Sequence, residues 1–307
     1  MKTIKYILIA STLFMLFRCT NPSPTELIQD NTAVNENLQQ IEVVSPDPDT
    51  YVYSNGYDST GIVEPYLNKS SVISLSGIKY SNFDDGSQAD YYYAVFNDKS
   101  MPILNTLGTR LGFWARMMGG VRFNNVVASP MQNRIRYLQN GEVHDTVIGY
   151  RFVLTRKMMH SHNKFEFPYN SKLNVRVDES RNSFFQIDVP TPAEISGEVN
   201  ASGSPSRNNL TLNLKWNGTN QGIIEIVIGV LEDSGNEIFP LLKLTGADNG
   251  KMKISSSILE KLPNRVYKKL VITFIRRQTK EIPENSILKD SYIVSQSIHN
   301  IKVEIPD

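Results

Sequence analysis

Asn209-Leu210-Thr211-Leu212-Asn213-Leu214-Lys215-Trp216 alternates polar and apolar side chains for eight residues and then stops at Asn217-Gly218. Successive side chains of a strand point to opposite faces, so this stretch reads as a strand with one buried face. The dipeptide after it is turn punctuation. The same period of two recurs at Ile224, Ile226, Ile228 and Val230, ahead of Ser234-Gly235-Asn236. It returns at Leu270, Ile272 and Phe274, and once more at Ile301, Val303 and Ile305. Further strands are expected over 184–189, 194–199, 238–244, 251–255 and 291–295, with one short helix over 257–262 before Pro263. Short strands at this spacing, with no long helices between them, predict an antiparallel β-sandwich. Trp216 is then a core residue between the sheets.

Several of these marks occur together: the alternating strand ending in Trp216, the turn Asp248-Asn249-Gly250, the strand and helix over 251–262, and the strand of 270–277 ending in Arg277. Together they resemble a module of uncharacterised bacterial lipoproteins. The resemblance covers roughly 184–307 and implies an immunoglobulin-like sandwich. It carries no agreed catalytic residues, so it implies architecture and no chemistry.

The N-terminus points the same way. Lys2 and Lys5 precede a run from Tyr6 to Phe17 that is almost free of polar residues. About a dozen apolar residues fall short of the roughly 20 that a membrane-crossing helix needs. The run is instead the hydrophobic region of a signal peptide over 1–18. Cys19, the single cysteine of the chain, follows directly. Leu16-Phe17-Arg18-Cys19 resembles the acceptor site of a bacterial lipoprotein, in which a leucine and two small residues precede the cysteine. Leu16 fits that pattern, whereas Phe17 and Arg18 depart from it. The resemblance implies lipid (palmitate) attachment at Cys19, a membrane partner and an extracytoplasmic location, with the outer membrane or cell surface favoured. With no second cysteine to pair, burial alone must hold the folded body.

From Thr20 to Thr50 the chain carries Glu26, Asp30, Glu36, Glu42, Asp47 and Asp49 but no Lys or Arg, with prolines at 22, 24, 46 and 48. That composition predicts an acidic, flexible tether over 19–50, with a reach of roughly 30 Å. A β-rich region is expected over 51–183. Its strands fall at 51–53, 62–66, 72–80 and 91–96, and Asn55-Gly56 and Asn140-Gly141 are hairpin turns. Ile103, Leu107, Leu111, Trp114 and Met118 are spaced as on one helix face, which predicts a helix over 101–120 ending at Gly119-Gly120. Pro190-Thr191-Pro192 is the expected joint to the sandwich of 184–307. The expected class is therefore mainly β, in two β-rich domains behind a signal peptide and tether.

The formal net charge of +1 predicts no nucleic-acid partner. His160 and His162 are two apart and could share a metal on one strand face. No C-x-x-C or H-E-x-x-H spacing supports them, so no metal and no cofactor are expected. Asp84-Asp85-Gly86-Ser87 lacks the full spacing of a calcium loop and reads as a turn. Without G-x-S-x-G or any other nucleophile motif, the chain reads as non-catalytic. Two features suggest binding. Tyrosines crowd the first folded part, with Tyr53, Tyr57 and Tyr66 as candidate ligand contacts ahead of Tyr91-Tyr92-Tyr93. Between Arg110 and Lys164 nine basic residues face only Glu142 and Asp145, and the Asn140-Gly141 hairpin brings Arg134 and Arg136 towards Arg151. The expected function is recognition of a glycan or of an anionic envelope or matrix partner. The alternatives are a structural subunit of a surface assembly and a hydrolase without a readable motif.

Overall fold

The computed structural model describes residues 69–83, 88–108, 110–139, 142–155, 166–179, 183–231, 238–260, 269–282, 288 and 290–306, with three N-terminal strands at 25–27, 38–44 and 52–54. The strands are β1 (Thr25–Leu27), β2 (Leu38–Val44), β3 (Val52–Ser54), β4 (Ser71–Ser81), β5 (Gln88–Leu104), β6 (Arg110–Ala115), β7 (Gly120–Phe123), β8 (Val126–Val127), β9 (Ser129–Gln139) and β10 (Glu142–Thr155). They continue as β11 (Lys172–Asp178), β12 (Phe184–Pro190), β13 (Gly197–Ser202), β14 (Thr211–Trp216), β15 (Ile223–Leu231), β16 (Ile238–Ala247), β17 (Lys251–Ile254), β18 (Lys269–Thr279) and β19 (Ser291–Glu304). Helical turns among the described residues are Pro205–Arg207 and the short α1 (Ser256–Leu259). No helix there is long and apolar enough to cross a membrane.

Three sheets result. The large one runs β1-β2-β16-β15-β18-β19-β4-β5-β6-β10-β9-β3, with β5 also meeting β10. Smaller sheets, β13-β14-β17 and β12-β11-β7-β8, cover it. The alternation of 210–216 does what its period requires: Leu212, Leu214 and Trp216 pack with Ile224, Ile226, Ile228, Ile272 and Phe274 in one core. A second core sets Val121, Phe123, Leu173, Val175 and Val177 against Ile73, Leu75, Tyr92, Ala94, Phe152 and Leu154. The two cores share a sheet, because β19 pairs with β4 in parallel from Ser291↔Ser71 to Ile301↔Ser81.

Chain length shows that this sheet is strongly curled. Val44 of β2 and Val52 of β3 are eight residues apart, which spans at most about 29 Å. Laid flat, the nine or ten strand spacings between those strands would need about 45 Å. A curled sheet buries both faces, and β4 is buried from Ser71 to Ile78 without alternation.

The N-terminal chain differs from the expected free tether where Leu38–Val44 joins the sheet edge. Leu242↔Val43 and Leu244↔Ile41 are paired, and Ile41 is buried in the first core. One apolar side chain with a vacant edge to bind offsets the ordering cost that composition alone counts. The expected boundary at 183/184 falls inside a hairpin, since β11 and β12 pair from Lys172↔Pro190 to Asp178↔Phe184. The joint at Pro190-Thr191-Pro192 is a pinned crossing rather than a hinge. Along β19, Ser295 Oγ donates to the Pro190 carbonyl, Ser297 Oγ accepts the Ile195 N–H at 2.8 Å and His299 Nδ1 accepts the Gly197 N–H at 2.8 Å.

A buried clasp closes the C-terminal core. Arg276 donates through Nε to Asp248 Oδ2 (2.8 Å) and through Nη2 to Oδ1 (3.1 Å) and to the Asn217 carbonyl (2.8 Å). Its Nη1 reaches the Ala193 and Glu194 carbonyls, so all five guanidinium N–H groups are used. Asp248 also accepts from Trp216 Nε1 and Thr219 Oγ1, each at 2.7 Å. Burial pushes the Asp248 carboxyl up, but Arg276, Thr219 and Trp216 outweigh it and hold the group below its ordinary value.

Candidate functional site

Of the basic residues singled out by sequence, Arg110, Arg134, Arg136 and Arg151 lie on two hairpins that extend past the body of the large sheet, Arg122 lies on β7, and Arg156, Lys157 and Lys164 lie outside the described residues. β4 leaves β5 at Ser71↔Phe96, yet β5 runs on to Leu104 with β6 as partner: Asn97↔Ala115, Pro102↔Phe113, Ile103↔Gly112 and Leu104↔Arg110. Asn105 closes the hairpin. Its Oδ1 accepts the Leu107 N–H and its carbonyl the Gly108 N–H, both at 3.0 Å. Gly108 sits at φ +78°, where a side chain would be strained.

The helix expected over 101–120 is therefore absent. Pro102 has no N–H to donate, Gly108 turns the chain, and the buried Leu111, Phe113 and Ala115 keep a period of two. The helical spacing of Leu107 with Leu111 is coincidental, since Leu107 is 70% exposed and Leu111 buried. Gly119 ends no helix. A Cβ there would lie 2.8 Å from the Asp178 carbonyl oxygen, so glycine permits the close pass into β7.

β9 and β10 form the second hairpin and pair up to Gln139↔Glu142, leaving the two-residue connection that Asn140-Gly141 predicted. Ile135, Leu111 and Ile148 make a small core between the hairpins, with Ile103 and Tyr137 against it. Gln139 Nε2 donates to Thr106 Oγ1, tying the two tips together. Tyr137 stacks on its cross-strand partner His144 at 5.3 Å.

Arg134 and Asp145 form an ion pair on the other side of this hairpin, with Nη1 to Oδ2 at 3.2 Å and Arg134 Nε donating to Gln132 Oε1 at 3.3 Å. Both side chains are well exposed. Arg136 pairs with Asp145 on β10 and with Tyr53 on β3, so three of the expected contacts occupy adjoining register positions. A guanidinium held this way still offers N–H groups to a carboxylate or phosphate.

Arg151 does not join them. The register slips between Val147 and Tyr150 around Gly149, at φ +110°, where a Cβ would fall 2.0 Å from the Ala115 carbonyl oxygen. After that bulge Tyr150 stands opposite Gln132, and Arg151 opposite Met131 on the reverse face. Its guanidinium lies 5.9 Å over the Tyr93 ring. The tyrosine triplet is largely core: Tyr92 packs on Phe123 and Phe167, while Tyr93 is buried on the opposite face with Tyr91 stacked beside it. Cys19, Tyr57, Tyr66, His160 and His162 lie outside the described residues, as do the turns at 55–56 and 84–87.

Sequence reading missed the apolar end of this arm. Met101, Leu104 and Leu107 are 49%, 54% and 70% exposed. From Lys99 to Gly141 the chain holds Lys99, Arg110, Arg116, Arg122, Arg134 and Arg136 and no acid, a signal that was readable beforehand. Some of this charge is compensated from outside the run, Lys99 by Asp290 and Arg122 by Asp178 at 3.7 Å. Fold and surface together define a mainly β protein with a basic, partly apolar two-hairpin arm. No protein-family model matches the chain and no curated protein is significantly similar to it, so the site is read from its own geometry.

Proposed function

We propose that this chain is a non-catalytic, extracytoplasmic binding protein, tethered through lipid on Cys19, that recognises an anionic glycan or envelope partner with the β9–β10 arm. The observation that carries the reading is the placement of Arg134 and Arg136, beside Tyr53 in register, within a stretch of chain, 99–141, that holds six cations and no acid before Glu142 and Asp145 follow on β10. Field lines from such a run favour an anionic partner even though the whole chain is nearly neutral.

The strand edges favour this reading over a structural subunit. Among the described residues the longest strand at a sheet margin is β12, with seven residues, and it carries Asp188 and ends at Pro190. Charge and proline at an edge discourage pairing with another chain.

The test compares the wild-type chain with Arg134→Glu plus Arg136→Glu for retention on an immobilised anionic polysaccharide. Retention should fall at least ten-fold with an unchanged melting temperature, and unchanged retention would sink the proposal. Mass spectrometry of the mature N-terminus tests the tether, which fails if Cys19 is absent or unmodified.

A further inference from the structure

We propose that the β5–β6 tip, with Leu104 and Leu107 as the inserting residues and Arg110 beside them, docks onto an anionic phospholipid surface. The inference rests on the arm being the contact surface and names the chemistry of the partner at its end.

Three observations converge. Among the described residues, seven of the nine exposed large hydrophobic side chains fall between Met101 and Tyr150, and the most exposed is Leu107 at the turn itself. The turn is built rather than slack. Asn105 holds the Leu107 and Gly108 N–H groups, and Gln139 braces Thr106 from the neighbouring hairpin. Leu104 is the cross-strand partner of Arg110, whose guanidinium lies 5.1 Å over the Phe113 ring, so an exposed cation accompanies the apolar tip.

The acids of the arm are Asp98, opposite Trp114 and bonded by Ser100, Glu142, opposite Gln139, and Asp145, which is already paired with Arg134, and against them stand Arg110, Arg116, Arg134, Arg136 and Arg151 besides Lys99. The balance of the arm therefore stays positive.

The chemistry selects lipid over the other anionic surfaces. A hydrated polysaccharide offers ring faces for aromatic stacking, whereas the tip offers aliphatic groups on a convex turn. Exposed leucines gain most where they leave water for the acyl boundary, and neighbouring cations gain from anionic headgroups.

The experiment uses the full chain carrying Cys19→Ser, so that no attached lipid contributes. Binding is measured by co-sedimentation with phosphatidylglycerol–phosphatidylethanolamine vesicles and with phosphatidylcholine vesicles. Preference for the anionic vesicles, weakened by salt, is expected. Leu104→Asp plus Leu107→Asp should lower partitioning about ten-fold or more, and Arg110→Glu about five-fold. These residues are exposed, so melting temperatures should not move. Equal binding to both vesicle types, or a leucine variant that binds like wild type, overturns the proposal. Retention on the polysaccharide without vesicle binding overturns the lipid assignment alone and leaves the arm as the contact surface. Vesicle binding lost in Arg134→Glu plus Arg136→Glu but kept in the leucine variant overturns insertion and leaves simple charge attraction.

Discussion

The C-terminal core and the two-hairpin arm are both built from strands, but different things hold them. In the core, nineteen buried apolar residues among those described surround Trp216, and a fully bonded Asp248–Arg276 pair closes one side. In the arm the buried cluster between the hairpins is Leu111, Ile135 and Ile148, while Met101, Leu104 and Leu107 face water. Apolar surface removed from water stabilises by roughly 25 cal/mol per Å², so the first region is fixed by burial. The second is held by register, one tip-to-tip hydrogen bond and continuity with the sheet. The division teaches where function can sit: exposed apolar groups are tolerated only where another part of the chain supplies the stability.

The hardest way to break the comparison is to remove the clasp. Arg276→Ala leaves the Asp248 carboxylate buried without its main partner and frees three backbone carbonyls. A loss of about 3–5 kcal/mol is expected, read by urea denaturation. A loss below 1 kcal/mol would show that water enters this core and that the two regions differ less than described.

A titratable group stands at the seam. His299 is buried, accepts the Gly197 N–H at Nδ1 and meets Ser81 Oγ at Nε2, 2.8 Å away. Burial, aided by Lys79, pushes it down to about 4. Its ordinary value is near 6.5, so the unfolded chain takes up the proton first as pH falls. The stability it contributes is complete above pH 6.5 and is lost progressively towards pH 4, about 3 kcal/mol in all. The melting temperature should fall over that window and should fall less in His299→Gln. Equal pH profiles would mean that other groups control the acid limit.

The same contrast explains what could be read beforehand. A period of two is visible when one face is buried and the other wet, which is why 210–216 and 224–230 were legible. Trp216, Asp248 and an arginine near the end of the 270–277 strand are also marks in the sequence, although it is Arg276, not Arg277, that binds Asp248, which in turn accepts from Trp216. In the arm the pattern misled, because exposed Leu107 lies one helical turn from buried Leu111. Pro102, Gly108 and Gly112 are the residues that argue locally against a helix there. The β10 bulge was illegible. Nothing in Val147-Ile148-Gly149-Tyr150 announces that Gly149 must pass the Ala115 carbonyl, yet that slip puts Arg151 on the reverse face from Arg134. The parallel β19–β4 seam joins residues some 220 positions apart, and no local signal predicts it.

The two tryptophans allow each region to be followed by itself, since Trp216 sits in the clasp and Trp114 in β6. With Trp216→Phe or Trp114→Phe leaving one reporter, Ile135→Ala should cost about 2 kcal/mol. Only the Trp114 signal should move to lower denaturant. If both signals shift together, the arm is part of one cooperative unit with the core and the contrast between them fails.

The smallest effect on stability should come from the substitution proposed to matter most for binding. Arg134 is half-exposed, and its bond to Asp145 at 3.2 Å joins two solvated groups, an interaction that contributes about 0–1 kcal/mol. Arg136 occupies the register position between Asp145 and Tyr53. Reversing both charges should shift stability by less than about 1 kcal/mol while removing retention on an anionic polysaccharide. A large loss of stability would mean that the pair props the hairpin against the body, and the basic face would then be a strut. An unaltered fold with lost retention would separate the two regions as the geometry does, with stability carried by Trp216, Asp248 and Arg276 and recognition by side chains that stability can spare.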